Sequence, residues 1–426
     1  YSNYFDSSLS SKTIIGMKTD IDGLMADHNI DALLVTGGTR NNPNMYYLTN
    51  GAQVGEATLL IKKRGSNPVI IAIGMERLEA EKSGLKVISR EDYGWSGIIH
   101  EEGGDDLAAS ASLLAVILRD LQVTGNVGVY GRAEHSYTML MFEALQERLP
   151  DVHLVAEAEP SILQLAQQTK GTYEIDRMRC LASAALSVIT RTRQFLGSHS
   201  VENGILIQSS GAPLTVREVK HKIRRWTCAR DMELPEGMIF SVGSDSAVPH
   251  ARGDDKSILE LGRTIVFDYF PREQDGGYFC DFTRTWCLGY APPEVEQAYH
   301  DVFDALELSI SSLRAGNMCM DYQIEVNKLF EVRGHPTMRS VPGTSEGYIH
   351  SLGHGVGLSL HQYPKLSDIA GDENEIQSST VLTIEPGLYY PSQGYGIRIE
   401  DMVLIEPENG CAERIGKFDR ELVIDI

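Results

Sequence analysis

The sequence predicts an α+β chain in two parts, an α/β N-terminal domain followed by a larger domain that mixes long helices with β-rich segments. Two patterns carry this reading. As far as about residue 160, short strand-like runs alternate with helical stretches, the signature of an α/β layer. Beyond Lys170-Gly171, a long helical pattern opens a second part in which β-rich runs and glycine-rich connections carry most of the clustered acidic and imidazole side chains.

In chain order, apolar spacing predicts a helix over 11–28, strands at 32–36, 57–62 and 68–73, and helices near 75–82 and 105–121. A strand at 127–130 and a helix over 136–148 complete the first part. In the second, helices are expected over 173–196, 293–313 and 321–332. The run from Ile265 to Thr285 places β-rich stretches on either side of Asp275-Gly276-Gly277 and so reads as a hairpin.

Composition excludes several classes of function. With 426 residues, 42% hydrophobic and 23% charged, the chain is long enough for two buried cores. A formal net charge of −21 opposes binding to nucleic acid or to an anionic membrane surface, both of which require basic patches. The one basic cluster, Lys220-His-Lys-Ile-Arg-Arg-Trp226, has helical spacing and reads as a solvated helix face. No apolar run approaches the roughly 20 residues of a membrane span, and the stretch from Tyr1 shows no basic region followed by an apolar one. The six cysteines show no CxxC spacing and no dense disulfide framework, so a reducing, cytoplasmic compartment is expected.

Five side chains in the C-terminal third point to chemistry: Asp268, Asp281, His354, Glu385 and Glu400. Four carboxylates and one imidazole suit a pair of hard divalent cations. Asp268 and Asp281 lie on the two arms of the expected hairpin. His354 stands in His350-Ser-Leu-Gly-His354-Gly-Val-Gly-Leu-Ser-Leu-His361, among glycines that permit close backbone approach. Glu385 follows the apolar run Val381-Leu-Thr-Ile, and Glu400 ends Gly396-Ile-Arg-Ile, so each sits near the end of a strand. Two cations about 3.5–4 Å apart need bridging carboxylates, and a water between them ionises near neutral pH, which suits hydrolysis of an amide. Taken singly, each residue reads as an ordinary turn or strand terminus; the set of five reverses that reading. Cys280 alternates to the opposite strand face and is expected in the core.

The segments Asp268 to Arg284, His350 to His361, Thr383-Ile-Glu-Pro-Gly387 and Arg398-Ile-Glu-Asp401 resemble the signatures of the pita-bread metallopeptidases, in the aminopeptidase P and prolidase branch. The resemblance runs from about residue 165 to the end of the chain. Asp31-Ala-Leu-Leu-Val-Thr, Met45-Tyr-Tyr-Leu-Thr-Asn-Gly51 and Glu56-Ala-Thr-Leu-Leu-Ile61 are similar to the creatinase-type N-terminal domain of that branch. It implies a creatinase-like α/β domain over 1–163 and a pita-bread catalytic domain, a curved antiparallel sheet backed by helices, over 164–426. It also implies that Asp268 ligates one metal, that Asp281 and Glu400 bridge, and that His354 and Glu385 hold the second metal, with Glu385 also the general base. His250 and His361 take substrate-side positions, and His350 and Arg398 take second-sphere or substrate-side ones.

The implied reaction is hydrolysis of an Xaa-Pro bond by metal-bound hydroxide, with manganese the first metal expected and cobalt, zinc or iron as other occupants. A homodimer acting on a small peptide or other small molecule is implied as well. The same fold acting on a non-peptide molecule, as a creatinase- or ectoine-hydrolase-like enzyme or a dimethylsulfoniopropionate lyase, is the alternative; a non-catalytic binding scaffold is the alternative of another class. Two rival motifs fail on context. Gly343-Thr-Ser-Glu-Gly347 satisfies GxSxG but lacks the strand and helix of a nucleophile elbow. Gly353-His-Gly-Val-Gly357 lacks the spacing of a phosphate loop.

Overall fold

The computed structural model describes residues 20–369 and 374–426. The chain divides into two compact units, 1–167 with 275–277, and 168–274 with 278–426. In the first, six strands form a mixed sheet: β1 (Ala32–Thr36), β2 (Leu59–Lys63), β3 (Val69–Ala72), β4 (Lys86–Ser89), β5 (Gly125–Gly131) and β6 (Val152–Val155), in the order β4-β3-β2-β1-β5-β6. β1 runs parallel to β5 and antiparallel to β2. Helices Asp106–Asp120 and His135–Arg148 cover the sheet through Leu114, Ile117, Leu118 and Leu145. The first of these begins where the Asp105 carboxylate accepts from the Leu107 and Ala108 amides, which satisfies two donors that the helix leaves open.

The helix expected over 11–28 lies in part outside the described residues; the described portion is Ile21–Asp27. The helix expected near 75–82 is the shorter Arg77–Glu81, preceded by a 3-10 turn. Strands β4 and β6 and the helix Pro43–Leu48, which Asn42 caps, are further elements that the short apolar runs did not announce.

The second unit is built of β7 (Ser200–Glu202), β8 (Ile205–Ile207), β9 (Met232–Glu233), β10 (Ile239–Val242), β11 (Thr264–Tyr269), β12 (Arg272–Glu273), β13 (Phe282–Leu288), β14 (Gly353–Gly355), β15 (Gln362–Leu366), β16 (Val381–Ile384), β17 (Gly387–Tyr390), β18 (Tyr395–Arg398), β19 (Asp401–Ile405), β20 (Ala412–Arg414) and β21 (Val423–Ile424). Two principal sheets result, β10-β11-β13-β21 and β15-β14-β16-β19-β20, with β17-β18 as a separate ribbon. All these pairings are antiparallel except β13 with β21. Helices Thr172–Gly197, Pro293–Ser312 and Cys319–Val332 fall close to their expected bounds, because long amphipathic stretches leave little freedom in placement. The antiparallel sheets backed by helices that the sequence implied are present, divided into two sheets and a ribbon.

The strands that carry the acidic residues are buried on both faces, and β11 and β13 are buried at every position. Phe267 packs at the centre, with ring centroids 5.5 Å from Phe240, 5.5 Å from Tyr269 and 5.8 Å from Trp286. The basic helix Val216–Cys228 forms as expected, yet Lys220 is buried and donates to Gly253 O and Asp255. Gly343–Gly347 lies in turns and bends, without the strand and helix of a nucleophile elbow. No described helix is long and apolar enough to cross a membrane. Truncation of Phe267 to Ala empties the centre of this aromatic cluster and is expected to cost about 3–5 kcal/mol in denaturant unfolding of the second unit; a loss below about 1 kcal/mol would contradict the packing described.

Candidate metal centre

Strand register brings the acidic side chains together. Asp268 pairs with Thr283 across β11 and β13, and residues opposite one another, like residues two apart, point to the same face. Asp281, two residues ahead of Thr283, therefore shares a face with Asp268. A second register does the same for the glutamates. Ile384 pairs with Asp401 and Gly387 with Arg398, a single alignment that sets Glu385 opposite Glu400 where β16 gives way to β17 and β18 to β19. His354 enters from β14, where its amide donates to Thr383 Oγ1 at 3.2 Å.

Donor atoms of Asp281, His354 and Glu400 all lie within 4.8 Å of one another. His354 Nε2 is 3.5 Å from Glu385 Oε1 and 3.9 Å from Asp281 Oδ2. His354 Nδ1 donates to the Gly355 carbonyl at 3.0 Å, so Nε2 carries the lone pair and presents it to the carboxylates. Glu385 flanks this trio. Asp268 is held to one side by an ion pair, its Oδ2 accepting from Arg398 Nη2 at 2.6 Å.

Arg398 is buried and directs its guanidinium into the protein. Besides Asp268, it donates to Thr283 Oγ1 at 3.2 Å, to Tyr389 Oη at 2.8 Å and to Pro249 O at 3.2 Å. The Thr283 hydroxyl in turn donates a hydrogen bond to Glu400 Oε2 at 2.8 Å. His350 Nδ1 donates to the Ser351 carbonyl at 2.8 Å, which leaves Nε2 to accept from the Tyr389 hydroxyl at 3.1 Å. Arg398 and His350 thus belong to one buried network that ends on Asp268 and Glu400.

His361 lies against His354, with ring centroids 4.3 Å apart. His250 is exposed and stands near enough to act electrostatically on both His350 and His361. Thr283 and Tyr389 were not singled out in the sequence. Their signal is positional: Thr283 shares the strand parity of Asp281, and Tyr389 lies in the strand that follows Glu385.

Burial dominates the electrostatics. It raises Asp281 well above the ordinary carboxylate range, with Glu400, Asp268 and Glu385 adding repulsion. Glu400 is raised likewise by burial, Glu385 and Asp268. Burial lifts Glu385 to about 8 against the opposing pull of Arg398. His354 and His350 are each pushed down to about 3 by burial, with electrostatic contributions from His361 and from the Arg398 guanidinium respectively acting in the same direction. Desolvation also lowers His361.

Asp268 Oδ1, Asp281 Oδ1 and Glu400 Oε1 are buried and accept no hydrogen bond. Buried carboxylate oxygens left in that state cost several kcal/mol unless a cation meets them. Three such oxygens, one oriented imidazole nitrogen and the neighbouring Glu385 make an oxygen-rich donor set that fits divalent cations.

Fold and donor set together define a metallopeptidase of the pita-bread type. The chain belongs to metallopeptidase family M24, whose family model matches residues 176–407, and the creatinase/prolidase N-terminal domain matches residues 19–165. An Xaa-Pro dipeptidase of Pyrococcus horikoshii is 26% identical over 403 residues, spanning 94% of this chain and 96% of its own. One from Pyrococcus furiosus is 34% identical over 208 residues, 49% of this chain and 55% of its own. Among solved structures, the prolidase from Pyrococcus horikoshii superposes with a TM-score of 0.71 at 23% identity, covering 96% of this chain and 99% of that one. The X-Pro aminopeptidase from Thermotoga maritima also gives 0.71, at 20% identity, over 93% and 98%.

The raised Glu385 fixes a sign for metal-free protein. Its folded form holds a proton more tightly than the unfolded chain, so the stability this proton confers is fully present below pH 4.5 and is lost as pH rises through about 8. Glu385→Gln should flatten that part of the pH dependence of the melting temperature in chelator-treated protein. An unchanged slope would show that Glu385 is not part of the repelling cluster.

Proposed function

We propose that the chain is an Xaa-Pro peptidase with a preference for dipeptides, working with two divalent cations. The observation that carries the metal reading is that donor atoms of Asp281, His354 and Glu400 lie within 4.8 Å of one another while Asp281 Oδ1 and Glu400 Oε1, like Asp268 Oδ1, are buried without a hydrogen bond. The likeness to an Xaa-Pro dipeptidase over 94% of the chain supports the substrate class. In this reading Asp268 would hold one cation and His354 and Glu385 the other, with Asp281 and Glu400 as the carboxylates shared between them.

Bound cations would polarise the scissile carbonyl and make water acidic enough to ionise near neutral pH. The protein's own groups do the rest. The Glu385 carboxylate takes the proton of the attacking water and returns it to the departing proline nitrogen. His361, kept neutral by desolvation, donates an N–H to the carbonyl oxygen as it gains charge. His250, exposed beside it, contacts the substrate. His350, through Tyr389 and Arg398, keeps Asp268 and Glu400 in their places and lets neither rotate.

Manganese, a cytoplasmic setting and a homodimer complete the proposal. Oxygen-rich donors suit manganese, and all six cysteines are free thiols. The homodimer rests on the family resemblance.

The test is a substrate panel on manganese-reconstituted protein: Gly-Pro, Ala-Pro, a longer Xaa-Pro-Yaa peptide and a non-proline dipeptide. Metal-dependent cleavage before proline, faster for the dipeptides, is expected. Faster cleavage of the longer peptide would reassign the chain to the aminopeptidase type, and no cleavage by fully metallated protein would overturn the peptidase reading. His361→Ala should lower kcat by about 10²–10⁴ with metal content unchanged; wild-type kinetics in that variant would remove His361 from the reaction.

A further inference from the structure

Arg284 and Asp401 lie in the two motifs that supply Asp281 and Glu400, yet neither has a place in the scheme above. Arg284 is 1% exposed, one of the largest side chains buried so completely. From β13 its Nη1 donates both to Thr283 O at 2.8 Å and to Glu400 O at 2.7 Å, and its Nη2 donates to Asp401 Oδ1 at 2.8 Å. The Glu400 amide donates in turn to the same Thr283 carbonyl at 3.0 Å. Both peptide carbonyls that flank the Thr283-to-Glu400 side-chain contact therefore converge on one guanidinium.

Asp401 is shared. Its Oδ2 also accepts from Arg414 Nε at 3.1 Å and from Arg420 Nη2. Those two arginines reach Glu307 as well. Arg284 lies with its guanidinium carbon 5.4 Å from the centre of the Phe418 ring. Burying a guanidinium this deeply is costly, and a hydrophobic residue of similar volume would fill the space. What a hydrophobic residue does not supply is a planar set of donors that fixes two backbone carbonyls and a carboxylate at once.

We infer that Arg284 is a positioning residue for the metal centre: by clamping Glu400 O and Thr283 O against the Asp401 carboxylate, it keeps the Glu400 side chain beside the Asp281 and His354 donors with which it would share the cations. This rests on the dinuclear reading of the site. Lysine is the informative replacement, since it keeps the charge and loses the fork that reaches three acceptors together.

The experiment is titration of chelator-stripped protein with Mn²⁺ alone, followed calorimetrically, for wild type, Arg284→Lys and Arg414→Gln, with a melting temperature for each metal-free variant. Arg414→Gln removes an arginine from the same Asp401 carboxylate without touching Glu400. Arg284→Lys should weaken Mn²⁺ binding about 10- to 100-fold, while Arg414→Gln binds as wild type does, whichever of the two loses more thermal stability. Equal affinity in Arg284→Lys and wild type would overturn the inference and leave Arg284 a part of the core alone. A parallel loss in both variants would overturn it too, because the effect would then follow general destabilisation. Should Arg284→Lys fail to fold, Asp401→Asn carries the test: it removes the counter-ion that anchors the clamp, with at least about 10-fold weaker binding expected and wild-type affinity overturning the inference. If wild-type protein itself takes up no Mn²⁺, the dinuclear reading fails, an outcome separate from the failure of the clamp.

Discussion

The rest of the second unit depends on the gathering of Asp268, Asp281, Glu385 and Glu400 away from water, with Arg398 paired to Asp268 and linked to Glu400 through the Thr283 hydroxyl. Like charges in a low-dielectric setting repel strongly, and each buried carboxylate also forgoes its hydration. The metal-free protein lessens this by retaining protons, which is the physical content of the raised Asp281, Glu385 and Glu400. A pair of divalent cations would remove the same penalty more completely. The site is thus strained in a direction that metal binding relieves.

Such strain persists only if the backbone gives the side chains no way out. Strand register is the first restraint: Asp268 shares a face with Asp281, and Glu385 is held opposite Glu400. Hydrogen bonds are the second. The Thr283 hydroxyl links Arg398 to Glu400, the Tyr389 hydroxyl links Arg398 to His350, and the Gly355 carbonyl fixes the tautomer of His354. Packing of Phe240, Phe267, Tyr269 and Trp286 on β10, β11 and β13 is the third. A centre supported on sheets in this way is more rigid than one built on loops.

Much of this was legible in the sequence for identifiable reasons. The long helices Thr172–Gly197 and Pro293–Ser312 carry sustained periodicity, so their bounds fell within a residue or two. The metal-type residues stood out only as a set: each alone read as an ordinary turn or strand terminus, and the five together pointed to cations. The network between them was not legible. Thr283, Tyr389 and Arg284 are ordinary strand residues by composition, and their roles arise from contacts across more than a hundred residues of chain or from a register set by a neighbouring hairpin. The pairing of Asp268 with Arg398 is of the same kind, since 130 residues separate them. The short strands β4 and β6 were missed because Lys86 and Ser89 in one and His153 in the other leave only two or three apolar residues to read.

The central claim is that these carboxylates are gathered to hold two cations, with Glu400 shared between them. The most direct test is metal stoichiometry after equilibrium dialysis of chelator-stripped protein against Mn²⁺, for wild type and Glu400→Ala. The account predicts two ions per wild-type chain and loss of tight binding at both positions in the variant. Two ions retained by Glu400→Ala, or no tightly bound ion in the wild type, would contradict it.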